Sequence, residues 1–221
     1  MQSAIIVFPG SNREQDAALA LEHSTGRKPH LVWHTDSTLP QVDLIVLPGG
    51  FSYGDYLRTG AMAAHAPIMR EVKARAAQGV RVWGICNGFQ ILCESGLLPG
   101  VLLHNKSLKF ICKPVTLSVE NTDSDFTRLC RKGQDLRTII AHGDGNYFAE
   151  EETLKKLEGN GQVAFRYREN PNGSINDIAG IFNEKRNVLG MMPHPEDAVE
   201  ELQGSTDGKL LFDSVVQAVG A

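Results

Sequence analysis

The sequence predicts an α/β protein, with a doubly wound, mostly parallel central sheet and a β-rich antiparallel extension in its second half. Three observations carry this. Short apolar runs recur with helical stretches between them, the signature of βαβ units. The runs are almost continuously apolar, as in Leu44-Ile45-Val46-Leu47, which suits strands covered on both faces of a parallel sheet. After Gly100 the spacing tightens, and strand candidate follows strand candidate.

Taken in order, residues 4–8, 31–33, 43–47 and 80–85 are the expected parallel strands. Helices are expected over 13–25 and 67–78, the second with a proline at its first turn and a stop at Gly79. The later strands are expected at 109–112, 115–119, 136–140, 163–167, 178–182 and 188–192. Asn160-Gly161 and Pro171-Asn172-Gly173 supply turns between them, and 207–219 supplies a last packing helix. No linker, repeat or low-complexity tract interrupts the 221 residues, so a single domain over 1–221 is expected.

Composition narrows the function classes. The chain is 42% hydrophobic and 22% charged, ordinary globular usage. Its 22 basic and 26 acidic residues give a net charge of -4 with no Lys/Arg block, so no nucleic-acid or anionic-membrane surface is expected. No apolar run approaches the ~20 residues that cross a bilayer. Met1-Gln2-Ser3 leads straight into an apolar strand without a basic leader, so secretion is not expected. The four cysteines have neither zinc spacing nor the density of a disulfide framework. Reduced thiols, a cytoplasmic location and no metal site are the expectation.

The most informative segment runs from Val80 to Gln90, an apolar strand entering Gly84-Ile85-Cys86-Asn87-Gly88 and then a helix-like stretch. Gly-X-Cys-X-Gly at a strand-to-helix turn is a nucleophile elbow, because the sharp turn brings backbones too close for larger side chains. Cys86 is the expected nucleophile. The N–H of Asn87 follows it and can meet the oxyanion of a tetrahedral intermediate. Leu47-Pro48-Gly49-Gly50 ends another strand with side-chain-free backbone, making Gly50 N–H the candidate second donor at the ligand-binding edge of the sheet.

A base is available in Met192-Pro193-His194-Pro195-Glu196. Pro195 favours extended geometry at His194, and residues 194 and 196 then share one side of an extended segment, so Glu196 can orient the imidazole. Cys93, Cys112 and Cys130 lack an elbow and read as filler. His142 lies in the glycine-spaced loop Ala141-His142-Gly143-Asp144-Gly145, and the segment 51–58 directly follows Gly50. Either could be a plain turn or a wall of the site.

Pro-Gly-Gly, Gly-X-Cys-X-Gly and His-Pro-Glu in this order resemble the class I glutamine amidotransferases, whose sheet is flavodoxin-like. The segments 8–12, 49–58, 86–90, 105–114 and 191–196 resemble, within that family, the glutaminase subunits of phosphoribosylformylglycinamidine synthase. The resemblance implies a Cys86–His194–Glu196 triad with Gly50 and Asn87 as oxyanion donors, Gln90 as a glutamine contact, and His142, Gly143 and Asp144 as holders of the substrate's amino-acid end. It implies a large formylglycinamidine ribonucleotide synthetase subunit as partner, with a small third subunit, in de novo purine synthesis. ATP and magnesium would sit on that partner, with no cofactor in this chain, which has no Gly-X4-Gly-Lys-Ser/Thr loop. Arg13, Thr59, Asp144 and Tyr147 depart from the family pattern. The rival readings are a cysteine hydrolase that does not use glutamine and a binding subunit without turnover. His194-Pro195-Glu196 argues against the first, and an intact triad against the second.

Overall fold

The computed structural model describes residues 1–220. Its elements are β1 (Ser3–Val7), α1 (Glu14–Thr25), β2 (His30–Trp33), β3 (Leu44–Leu47), α2 (Ile68–Ala77), β4 (Arg81–Ile85) and α3 (Asn87–Glu94). There follow β5 (Val101–Leu103), β6 (Ile111–Val119), β7 (Asp135–His142), β8 (Asn146–Phe148), α4 (Glu151–Gly159), β9 (Val163–Tyr167), β10 (Ile178–Phe182), β11 (Val188–Met191) and α5 (Lys209–Gly220). Among the described residues, nine strands form one sheet in the order β2-β1-β3-β4-β11-β10-β9-β6-β7, and β5 pairs with β8 separately. From β2 to β11 every pairing is parallel, and from β11 to β7 every pairing is antiparallel. The doubly wound half and its antiparallel extension are therefore one sheet.

The apolar runs explain the burial. All four residues of β3 are buried, as are Val82, Trp83, Gly84 and Ile85 of β4, because helices cover both faces. The Trp83 ring centroid lies 4.7 Å from that of Phe212 of α5, the rings tilted, and 5.8 Å from that of Phe126, edge to face. α1 turns Ala17, Ala20 and Leu21 inward, which lets the helix lie close to the sheet.

Three elements differ from expectation. The strands expected at 109–112 and 115–119 are one strand, β6, running through Pro114. A proline breaks a ladder only where its missing N–H is needed; β9 pairs with Leu117, Ser118 and Val119 alone, so Pro114 lies where β6 has a neighbour on one side. α4 was not expected, although Leu154 and Leu157 form its buried face and Glu151–Lys155 and Glu152–Lys156 pair one turn apart. The β5–β8 pair is three residues per strand, too short for a pattern. No helix among the described residues is long and apolar enough to cross a membrane.

Candidate active site

β4 delivers Cys86 to the carboxyl edge of the sheet with φ 52 and ψ -108, a conformation that costs an L-residue about 1–3 kcal/mol and persists only where its surroundings enforce it. They do. Cys86 N–H donates to Met191 O at 2.8 Å, and its carbonyl accepts from Phe89 and Gln90 N–H at 2.9 and 3.2 Å. A Cβ on Gly88 would lie 1.9 Å from Leu47 O, and one on Gly84 would lie 2.6 Å from Gly88 O, so both elbow glycines are sterically required. The thiol is buried and sits 3.8 Å from Ala141 O at the end of β7. Cys93 and Cys130 are also buried; burial pushes the Cys93 thiol far up and that of Cys130 up to about 11, so neither ionises near neutrality.

His194 and Glu196 are 2% and 1% exposed, and Nδ1 donates to Oε1 at 2.7 Å. Nε2 is buried without a well-formed hydrogen bond. Burial opposes charge on the imidazole, but Glu196 and the adjacent Cys86 outweigh it and raise His194 well above its ordinary pKa. β7 fixes the backbone of His194: its N–H donates to Ile139 O at 2.8 Å, and Thr138 Oγ1 donates to His194 O at 2.7 Å. The pair is not carried by an extended segment as expected. His194 is extended at φ -100, ψ 93, but Pro195–Asp197 closes a single 3₁₀ turn with proline at its start. The fixed φ of proline suits the first position of a helical turn, and the turn carries Glu196 back to the ring.

The second oxyanion candidate is held by the loop before α1. Gly49 O accepts from Asn12 and Arg13 N–H, each at 3.3 Å, and Phe51 N–H donates to Gly10 O at 2.8 Å. In a trans peptide the N–H points opposite to the C=O, so Gly50 N–H faces away from α1, and it has no acceptor among the described residues. A Cβ on Gly49 would lie 2.8 Å from His194 Cε1, which places this peptide directly against the base. Asn87 is the first residue of α3, where a backbone N–H has no intrahelical acceptor.

Main chain forms the opposite wall, at 142–145. Asn105 Nδ2 donates to His142 O and Lys109 O, both at 2.8 Å. Its Oδ1 is therefore an acceptor, and it takes Gly145 N–H at 3.1 Å and His142 Nδ1–H at 3.0 Å. Burial, then the nearby charge of His194, lowers His142 to about 4, so this imidazole is neutral and is spent inside the fold. Asn105 N–H also donates to Gly143 O at 2.8 Å, and Asn172 Nδ2 donates to Gly145 O at 2.8 Å. With these carbonyls tied back, the N–H groups of Gly143 and Asp144 have no acceptor among the described residues. Gln90 is buried at 5% exposure, and its amide is engaged at both ends, accepting from Asn87 Nδ2 at 2.8 Å and donating to Asp144 O at 2.7 Å.

The fold thus brings Cys86, His194, Glu196, Gly50 and Asn87 to one edge, with Gln90, His142, Gly143 and Asp144 along its wall. No group of three or more His, Cys, Asp or Glu among the described residues could hold a metal ion. Residues 1–211 match the CobB/CobQ-like glutamine amidotransferase domain. The chain is 59% identical to the phosphoribosylformylglycinamidine synthase subunit PurQ of Rhizobium meliloti, over 100% of both chains. The chain belongs to the PurQ family of glutamine amidotransferases. Its backbone is similar to a chain in the structure of PurLQS from Thermotoga maritima, with TM-score 0.91, 49% identity and coverage of 99% and 98%. A glutamine amidotransferase from the same organism shares the fold alone, at TM-score 0.59 and 15% identity over 98% and 90% of the chains.

Several residues of this amidotransferase have roles around the site that the sequence does not signal. Asn105 opens a segment that carries the resemblance and Asn172 reads as part of a turn, but neither is marked as tying down the 142–145 loop. Arg13, whose guanidinium bonds Asp197 at 3.1 Å beside the triad, reads as an ordinary helix start. Asp55 is pushed up to about 6 by burial and by Asp144, and only folding puts those two carboxyls close together.

Proposed function

We propose that this chain hydrolyses glutamine to glutamate and ammonia and passes the ammonia to a synthetase. The Cys86 thiolate adds to the side-chain carboxamide carbon, and the N–H groups of Gly50 and Asn87 meet the oxyanion. The C–N bond breaks as His194 gives its proton to the departing nitrogen, leaving a γ-glutamyl thioester. Water then adds to the thioester carbon and yields a proton to His194; collapse returns the thiolate and frees glutamate, the imidazole acting as acid and base in turn. Glu196 holds the ring and offsets its charge. The free N–H groups of Gly143 and Asp144 suit the substrate's α-carboxylate.

The observation that carries this reading is the buried His194–Glu196 pair set against both Cys86 and the Gly49–Gly50 peptide. Ammonia released into water becomes ammonium, so a donor of this kind requires a covered mouth. An apolar rim supports one: Phe51, Tyr56, Leu57, Leu108 and Phe110 are exposed, the Phe51 and Phe110 rings are 6.4 Å apart, and Phe110 borders Gly143. The proposed cover is a large synthetase subunit that binds ATP and magnesium and converts formylglycinamide ribonucleotide to its amidine in purine biosynthesis, with a small third subunit. This chain carries no cofactor of its own, and its four unpaired cysteines suit the cytoplasm.

The test is glutamate release by the purified chain, alone and with its candidate synthetase, ATP and formylglycinamide ribonucleotide. Low activity alone, strong stimulation by the complete mixture, and none from a folded Cys86→Ala variant are expected. Turnover by that variant would overturn the nucleophile assignment. Activity indifferent to the synthetase would remove the purine pathway and leave a glutaminase.

A further inference from the structure

Two loops flank the first turn of α3 just after the thiol, and one run of side-chain amides joins them through that turn. Ser52 N–H donates to Asn87 Oδ1 at 3.1 Å, Asn87 Nδ2 donates to Gln90 Oε1 at 2.8 Å, and Gln90 Nε2 donates to Asp144 O at 2.7 Å. Both side chains are buried, at 2% and 5% exposure. The direction of the relay is forced, because a backbone N–H at one end can only donate and a carbonyl at the other can only accept. Neither amide can flip without setting like against like.

The relay's ends sit at the reacting geometry. Ser52 is two residues after Gly50, the proposed oxyanion donor, and Asp144 lies in the loop whose Gly143 and Asp144 N–H groups have no acceptor among the described residues. Between them, Asn87 and Gln90 stand on the first turn of α3, directly after the nucleophile. The segment after Ser52 rests on this same helix, since a Cβ on Gly60 would lie 2.8 Å from Ile91 N and 2.9 Å from Gln90 C.

We propose that the Asn87 and Gln90 side chains are positioning residues that set the spacing between the oxyanion donor at Gly50 and the substrate loop at Gly143–Asp144. Gln90 then acts through Asp144, and Asn87 has two roles: its backbone N–H meets the oxyanion and its side chain braces the site. This rests on the glutaminase reading above. A buried chain of three bonds is cooperative, so cutting it anywhere releases both loops together.

The test is a double-mutant cycle on glutamine hydrolysis in the assembled complex, with Asn87→Ala, Gln90→Ala and the pair. If the relay acts as a unit, each single variant lowers kcat by about 10²-fold, the scale of a ~1 Å misplacement, and the pair falls no more than ~3-fold below the weaker single variant. Alkylation of Cys86 by iodoacetamide, which needs neither the oxyanion donor nor the substrate loop, stays near the wild-type rate. Asn87→Asp guards against misfolding: it is isosteric and keeps the Ser52 bond, but sets a carboxylate oxygen against Gln90 Oε1, and the same kcat loss is expected while the melting transition, lowered by that buried contact, stays cooperative. Losses that multiply in the pair would overturn the proposal. So would a raised glutamine KM in Gln90→Ala alone with Asn87→Ala normal, since that is the signature of direct substrate contact. A wild-type complex that does not hydrolyse glutamine would instead refute the underlying activity.

Discussion

Replacing Gly88 with alanine tests whether the elbow is as tight as its geometry requires. The added Cβ would lie 1.9 Å from Leu47 O, 2.7 Å from Leu47 C and 2.9 Å from Leu47 Cβ. Carbon does not approach carbonyl oxygen closer than about 3 Å, so the end of β3 or the start of α3 must yield by roughly 1 Å. Neither has slack, because Leu47 is fully buried and Gly88 is within the first turn of a helix buried from Asn87 to Cys93. Overpacking of this kind costs about 1–3 kcal/mol, which for a domain of this size lowers the melting temperature by roughly 2–12 °C. Leu47 is three residues before Gly50, so the same displacement moves the proposed oxyanion donor, and kcat is expected to fall by about 10²-fold. Gly159→Ala is the control: nothing lies within 4 Å of its Cβ, and it ends α4, so it should be neutral or stabilising by about 0.5–1 kcal/mol. Calorimetry and glutamate release decide the matter. Wild-type melting and turnover in Gly88→Ala would refute the close approach of β3 to α3.

Two further predictions concern protons. Because His194 titrates above its ordinary value when folded, its contribution to stability is complete below the unfolded pKa of about 6.5 and is lost as pH rises through the folded value; Glu196→Gln, removing the main favourable charge, should flatten that part of the stability–pH curve and reduce turnover, and an unchanged curve would refute the coupling. His142 has the opposite sign, with a folded pKa of about 4: its contribution is present above pH 6.5 and is lost as pH falls toward 4, amounting to about 3 kcal/mol, and denaturant titrations of the wild type and His142→Gln at pH 4, 5.5 and 7 should converge at acid pH if this is correct.

The elbow and the parallel strands were legible in the sequence. Gly84 and Gly88 announce the elbow because only glycine tolerates backbone contacts of 1.9–2.6 Å at its Cβ position, a demand local enough to leave its mark in five consecutive residues. The parallel strands were legible for the same reason: burial on both faces forces an unbroken apolar run, as in Leu44 to Leu47. Pro195 was read correctly as shaping His194 but wrongly as keeping Glu196 in line, because proline fixes its own φ and leaves ψ to choose between strand and turn. The bonds that Asn105, Asn172 and Gln90 make across the site have no local mark. Their bonds span 37 residues from Asn105 to His142, 27 from Asn172 to Gly145, and 54 from Gln90 to Asp144, and no spacing rule reports a hydrogen bond between distant loops.

The antiparallel half has a role in the site that its place in the strand order conceals. β7 is the last strand of the sheet, five places from β4, yet its residue Ile139 forms a bridge with His194, just beyond the end of β11. That contact requires β11, β10, β9, β6 and β7 to curl until the last of them returns to the end of the first. The returning strand supplies Ile139 and Thr138 to fix the backbone of the base, Ala141 O beside the thiol, and the loop that begins at His142. The parallel half alone holds Cys86 and both proposed oxyanion donors, Gly50 after β3 and Asn87 after β4, at a sheet edge, an arrangement open to many chemistries. Closure by the antiparallel half adds the 142–145 wall, and on the proposed reading, in which that wall takes the substrate's amino-acid end, selectivity for glutamine would depend on strands far from Cys86 in both sequence and sheet order.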